Sequence, residues 1–161
     1  MDHHHNQRLQ SVLTFVIISN FLLVSHGEVG TAAQYSPPFL PTACYGYDSG
    51  QFPSSNLFAA AGDGIWDNGA ACGRQYLVKC ISATEPGTCV PDQVIQVRIV
   101  DFALSTVSPP SYEGTTMVFS DTAFGTIANS SAVSINIEFQ QFGIQFMLKL
   151  NFWLTRYVGM I

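Results

Sequence analysis

Hydrophobic and polar residues alternate with a period of two along several short stretches, the pattern of half-buried strands. In Val94 to Phe102, Ile95, Val97, Ile99 and Asp101 fall on one side and Val94, Gln96, Arg98 and Val100 on the other. One face of that strand is therefore apolar until Asp101. Gln75 to Ile81 is a β-branched and aromatic run and also predicts a strand, as does Thr115 to Phe119. Ser134 to Phe139 sets Ile135, Ile137 and Phe139 against Asn136 and Glu138. The stretches between carry breakers. Ser54–Ser55–Asn56 predicts a cap for a short helical turn over Leu57 to Ala61. Gly62–Asp63–Gly64 and Asp67–Asn68–Gly69 are turn signals around Ile65 and Trp66. Ser105 to Gly114 is a Ser/Pro-rich loop, and Asp121 to Ala128 predicts a short helix with an acidic start. Glu28 to Ala43 is a lead-in kept extended by Pro37, Pro38 and Pro41. Many short strands between turn signals, without internal repeats, argue for a small closed barrel.

The two ends follow other patterns. Val12 to Val24 is apolar except for Thr14, Ser19 and Asn20, with Arg8 before it. Ser25 and Gly27 are small residues ahead of Glu28. Residues 1–27 thus read as a secretory signal peptide, with an apolar run too short to span a bilayer. His3, His4 and His5 leave with that segment, so the mature chain keeps at most His26. That is too few for a histidine-based zinc site or a Ser-His-Asp triad. At the other end, Ile144, Phe146, Leu148, Leu150, Phe152 and Leu154 again alternate. Lys149, Asn151 and Arg156 interrupt this stretch, which argues against a spanning helix or a lipid-anchor signal. Residues 142–161 are expected to be a poorly packed hydrophobic extension of a domain over residues 28–141.

Composition narrows the function. The chain has 161 residues, 47% hydrophobic and 11% charged, which excludes a disordered acidic protein and a coiled coil. Six Lys and Arg against eleven Asp and Glu give a net charge of −5 and no basic patch, so no nucleic-acid partner is expected. Secretion implies an oxidising compartment for Cys44, Cys72, Cys80 and Cys89. Four cysteines allow three pairings. Their separations are 28, 8 and 9 positions (44 to 72, 72 to 80, 80 to 89), which do not supply the two close pairs of a four-thiolate zinc site. Asp48, Asp63 and Asp67 lack calcium-loop spacing and read as turn residues. No metal and no cofactor are expected. Asn129–Ser130–Ser131 is a candidate N-glycosylation sequon.

Four runs at consistent spacing carry a family resemblance: GTAAQYSPPFLPTACYGYD, GDGIWDNGAACGRQYLVKC, PGTCVPDQVIQVRIVDFA and FSDTAFGTIAN. From about Gly30 to Gln141 the chain resembles the plant natriuretic peptide-like proteins. Their domain is similar to family-45 endoglucanases and to expansin domain 1, and the blight-associated proteins belong with them. The resemblance implies a mainly β fold, a six-stranded double-psi β-barrel with short helices and two disulfides, Cys44–Cys72 and Cys80–Cys89. It also implies secretion to the apoplast. The chain departs from the pattern in two cysteines. Expansin-like relatives read C-G-A-C where Cys72–Gly73–Arg74–Gln75 stands, and often carry another cysteine near Ala103.

Glycoside hydrolysis needs two carboxylates across the scissile bond. The family's acid ends an H-F-D motif that falls here on Thr116, Met117 and Val118. Its other carboxylate follows the first strand, where this chain reads Ser36–Pro37–Pro38 after Ala32–Ala33–Gln34–Tyr35. Asp121 reads as a helix-start charge. The sequence therefore argues for a non-enzymatic protein. Asp101 is the carboxylate that relatives place near the groove, and it is a candidate acceptor for a sugar hydroxyl or a partner's backbone. Tyr35, Tyr45, Tyr47 and Trp66 are candidate stacking residues for sugar, although aromatics also serve as ordinary core. The expected partner is a cell-surface receptor, by the family's action on water and ion balance, or a cell-wall polysaccharide or pathogen effector. The family's active stretch matches roughly Pro38 to Cys72, expected as a bridged surface loop. A monomer without stable membrane insertion is expected.

Overall fold

The computed structural model describes residues 27–104 and 114–143. The expected signal peptide up to residue 26, the Ser/Pro-rich stretch 105–113 and the hydrophobic extension from residue 144 onward lie outside the described residues. Six strands form a closed barrel: β1 (Glu28–Tyr35), β2 (Phe58–Ala61), β3 (Gln75–Ser82), β4 (Val94–Phe102), β5 (Met117–Ser120) and β6 (Ile135–Gln141). Around the barrel the order is β1-β5-β2-β4-β3-β6. The β1/β5 and β2/β4 pairs are parallel and the other four antiparallel. This is the double-psi β-barrel. Closure leaves no open sheet edge.

Alternation along the strands fills the interior. Ala32, Val78, Ile95, Val97, Ile99, Met117, Phe119, Ile135, Ile137 and Phe139 form one buried cluster. The helix Asp121–Ile127 adds Phe124 and Ile127 to it. Burying each large apolar side chain contributes about 1.5–3 kcal/mol. Ser120, fully buried, caps that helix: its Oγ accepts from the Ala123 N–H at 3.1 Å and donates to the Asn56 carbonyl at 2.6 Å. Asp121 sits exposed in the first turn, where its charge complements the helix dipole.

Two local expectations change and one is sharpened. The segment read as a helical turn, Leu57 to Ala61, is strand β2 from Phe58 onward, with all four residues buried between β4 and β5. Three successive alanines favour a helix in isolation, but their small side chains fit a strand enclosed on both faces, and tertiary context decides. The extended lead-in is a strand, β1, up to Tyr35. The paired turn signals enclose a short helix, Asp63–Trp66, followed by a 3-10 turn, Asp67–Gly69. Gly62 begins this helix because a Cβ there would collide with the Thr115 carbonyl oxygen.

Both disulfides form in sequence order, Cys44–Cys72 and Cys80–Cys89. By chain entropy they contribute about 3–4 and about 2.5–3 kcal/mol. Gln75, standing where relatives carry a cysteine, accepts a hydrogen bond at Oε1 from Gln96 Nε2 instead.

Candidate functional site

The site begins with a break in alternation on β4. Ala59 pairs with Ile99, but Ala60 pairs with Asp101, so one residue of β4 is bulged out of register. A bulge reverses which face the following residues take. Asp101 therefore leaves the face of Ile95, Val97 and Ile99, where simple alternation put it. It joins the outward row that cross-strand pairing defines: Ala33 beside Val118, Val118 beside Ala60, and Ala60 beside Asp101. Ala33, Ala60, Ala103 and Val118 form a second, smaller buried cluster, with Tyr35 packed against it.

Asp101 is fully buried on this face. Its Oδ1 accepts from the Ala43 N–H at 2.7 Å and from the Phe102 N–H at 2.8 Å. The carboxylate thus ties the segment before Cys44 to the end of β4. The second bond caps the carboxylate's own following residue. Tyr35 presents its hydroxyl to the same face. That oxygen is buried and has no hydrogen-bond partner among the described residues. Burial, and secondarily the negative charge of Asp101, hold the phenol far above its ordinary pKa of 10.0. Tyr35 is therefore a neutral hydrogen-bond donor throughout the physiological range.

The structure separates the four candidate aromatics. The Tyr35 ring meets Phe39 at 5.0 Å and Phe58 at 6.3 Å, both edge-on. Phe58 also meets Phe52 at 4.7 Å, so the segment after β1 is pinned over the barrel by aromatic edges. Tyr45 lies under the Arg98 guanidinium, 5.6 Å from ring centroid to Cζ, and its hydroxyl accepts from Arg98 at 3.3 Å. Arg98 also donates to the Gln51 carbonyl at 3.1 Å. Tyr47 is 80% exposed. Trp66 stacks on Phe102, with centroids 4.7 Å apart and planes 20° apart. No ring contact joins any two of the four candidates among the described residues.

Trp66 and Phe102 together make a half-exposed aromatic slab next to Asp101 in sequence. A shallow cavity of about 220 Å³ lies nearby, lined by Gly62, Asp63, Ala103, Leu104, Thr115 and Thr116 among others. Sequence reasoning missed Phe102 and Asp63 as members of this neighbourhood. The signal for Phe102 was present, since it ends the strand that carries Asp101. The turn aspartates have structural work. Asp48 Oδ1 accepts from Gly50 N at 3.0 Å, and Asp67 pairs with Arg74 at 2.6 Å on the exposed surface.

The stretch Pro38 to Cys72 is not one surface loop. Its C-terminal half contains β2, which is buried between β4 and β5. Exposed residues lie in the Cys44-to-Asn56 stretch, held by the disulfide and by Arg98, and again between Asp63 and Ala70. Asn129 is exposed in the turn between the Asp121–Ile127 helix and β6.

A closed six-stranded double-psi barrel with short helices and two disulfides is the fold of an expansin-like domain. The comparisons agree. The lytic transglycolase family model matches residues 59–139. An EG45-like domain containing protein of Citrus jambhiri is 37% identical over 132 residues, covering 81% of this chain and 93% of the relative. EG45-like domain containing protein 2 of Arabidopsis thaliana is 29% identical, covering 78% of this chain and 90% of its own. The chain belongs to this EG45-like, double-psi barrel family. In fold it is similar to a Clavibacter michiganensis expansin, solved as a point mutant in complex with cellohexaose, at TM-score 0.52 and 19% identity, covering 70% of this chain. The chain spans 48% of that expansin's length.

Proposed function

We propose that this protein is a secreted, non-hydrolytic barrel that binds cell-wall polysaccharide on the half-exposed Trp66–Phe102 pair, at the end of the strand that carries Asp101. One observation carries the reading. The row where the resemblance places the family's acid is closed by Val118, buried between Ala33 and Ala60. Valine donates no proton, and hydrolysis or lytic transglycosylation requires a general acid at the glycosidic oxygen. Asp101 does not take its place. Its Oδ1 is committed to two backbone N–H groups and the residue is fully buried, out of reach of a glycosidic oxygen. What stays half-exposed suits binding: a stacked indole for the apolar face of a sugar ring. The expansin seen with cellohexaose supports a β-linked glucan as ligand. The two disulfides support an extracellular location. No helix among the described residues is long and apolar enough to cross a membrane.

The test is retention on insoluble cellulose and xyloglucan with reducing sugar measured in the supernatant. Retention without release is the expected result.

A second reading rests on the exposed stretch around Tyr47. Held by Cys44–Cys72 and by Arg98, it offers a rigid surface to a cell-surface receptor, as expected of a signal resembling plant natriuretic peptides. Protoplast swelling by the oxidised protein, lost after reduction and alkylation, is the outcome this reading requires.

A further inference from the structure

The barrel carries a larger cavity, of about 560 Å³, between the β3–β4 hairpin and the turn before β6. Residues 83–88 form one wall and Asn129 with residues 131–134 the other. The walls are tied together. Cys80–Cys89 closes the hairpin, Cys89 bridges Ala128, and the Asn129 N–H donates to the Thr88 carbonyl at 2.8 Å. Gln34 of β1 donates to the Ser130 carbonyl at 2.6 Å. The cavity is thus a built feature. Its lining mixes apolar surface (Ala83, Pro86, Val133) with hydroxyls (Thr84, Ser131, Ser134), and Val133 is 64% exposed.

Asn129, on the lip, opens the chain's single Asn-x-Ser/Thr sequon. Its Oδ1 accepts from the Ser131 N–H at 3.0 Å, a bond that does not engage the amide nitrogen. Asn129, Ser130 and Ser131 are all exposed. We propose that Asn129 is N-glycosylated and that the first sugar of the glycan lies in this cavity, covering Val133 and the hairpin wall. The chemistry is glycosyl transfer from a lipid-linked oligosaccharide diphosphate. The anomeric C–O bond to the diphosphate breaks, a C–N bond to Asn129 Nδ2 forms, and the amide loses one proton. An N-acetylhexosamine suits the site, because its ring face and acetyl methyl are apolar and its hydroxyls match those of Thr84, Ser131 and Ser134. The proposal rests on the secretory reading above, and it places a sugar on a different part of the barrel from the polysaccharide face.

The test expresses the full chain through a plant secretory pathway. Protein recovered from the medium is mapped by peptide mass before and after enzymatic N-glycan release. The expected result is a glycan on Asn129, absent from Ser131→Ala, which keeps Asn129 and its backbone bond. Slower amide exchange over residues 83–88 and 131–134 in the glycosylated protein than in Ser131→Ala supports the seated sugar. Secreted protein with unmodified Asn129 overturns the proposal alone. Protein left unmodified in the cytosol overturns the secretory reading with it. A modified Asn129 with equal exchange in both proteins overturns the seated sugar.

Discussion

Along β1, β5, β2 and β4, one residue in two faces the barrel axis and the next faces outward, and the two sets differ in kind. Inward stand Ala32, Met117, Phe119, Ala59, Ala61 and Ile99, apolar and closely fitted. Outward stand Ala33, Val118, Ala60 and, through the bulge, Asp101, with the Tyr35 hydroxyl beside them. Both sets are buried. The inner one carries stability without polar groups. The outer one holds the Asp101 carboxylate, tied to the Ala43 and Phe102 N–H groups, and a buried Tyr35 phenol that makes no hydrogen bond to the described residues, at a cost that burial of apolar groups elsewhere offsets. The outer floor is made of small residues, and a valine, Val118, stands where the resemblance places the family's acid.

Substitutions separate the two sets, and the largest effect belongs to the inner one. Phe119→Ala is expected to lower unfolding free energy by about 3–5 kcal/mol, read by chemical denaturation, through lost burial and a residual cavity. It should do so whether or not ligand is present. Replacing both Cys44 and Cys72 by serine is expected to cost about 3–4 kcal/mol, more than the same change at Cys80 and Cys89, which closes the shorter loop. Comparing the two double variants in one denaturant series checks the order. Asp101→Ala leaves the Ala43 and Phe102 N–H groups without their acceptor and should cost about 2–3 kcal/mol, whereas Asp101→Asn keeps an acceptor oxygen and should cost less.

Tyr35→Phe is the smallest change and the sharpest. Removing a buried hydroxyl that makes no hydrogen bond to the described residues should shift stability at neutral pH by no more than about 0.5 kcal/mol. Its signature lies in alkali. Because the folded-state pKa of Tyr35 is raised, the unfolded chain loses its proton first as pH climbs past 10.0. The unfolded state then binds fewer protons than the native state, so stability is complete below that pH and falls above it, by up to about 1.4 kcal/mol per pH unit. The Tyr35→Phe variant should show a shallower fall by that one proton in denaturation midpoints between neutral and alkaline pH.

The contrast between the faces was only half legible in the sequence. Val94 to Phe102 and Ser134 to Phe139 announce themselves by alternation, and their cores lie where the pattern puts them. The helix over Asp121–Ile127 was visible from its acidic start, although the capping group is Ser120. β2 was not legible. Phe-Ala-Ala-Ala has no period, and its strand state depends on β4 and β5, which arrive later in the chain. The bulge on β4 was invisible for the same reason, since register is a property of two strands. So Asp101 could be chosen as the notable carboxylate from sequence but not placed on its face. Stacking of Trp66 on Phe102, and the pinning of Tyr45 by Arg98, join residues far apart in the chain that no local pattern links.

The most direct measurement is a depletion isotherm of the oxidised protein on insoluble cellulose, with reducing ends assayed in the same tubes, for the wild-type chain and for Trp66→Ala. Saturable retention of the wild type, weakened at least several-fold in Trp66→Ala and without any rise in reducing ends, is what a non-hydrolytic binding face requires. Release of reducing sugar by the wild type, or equal retention of both proteins, would contradict it.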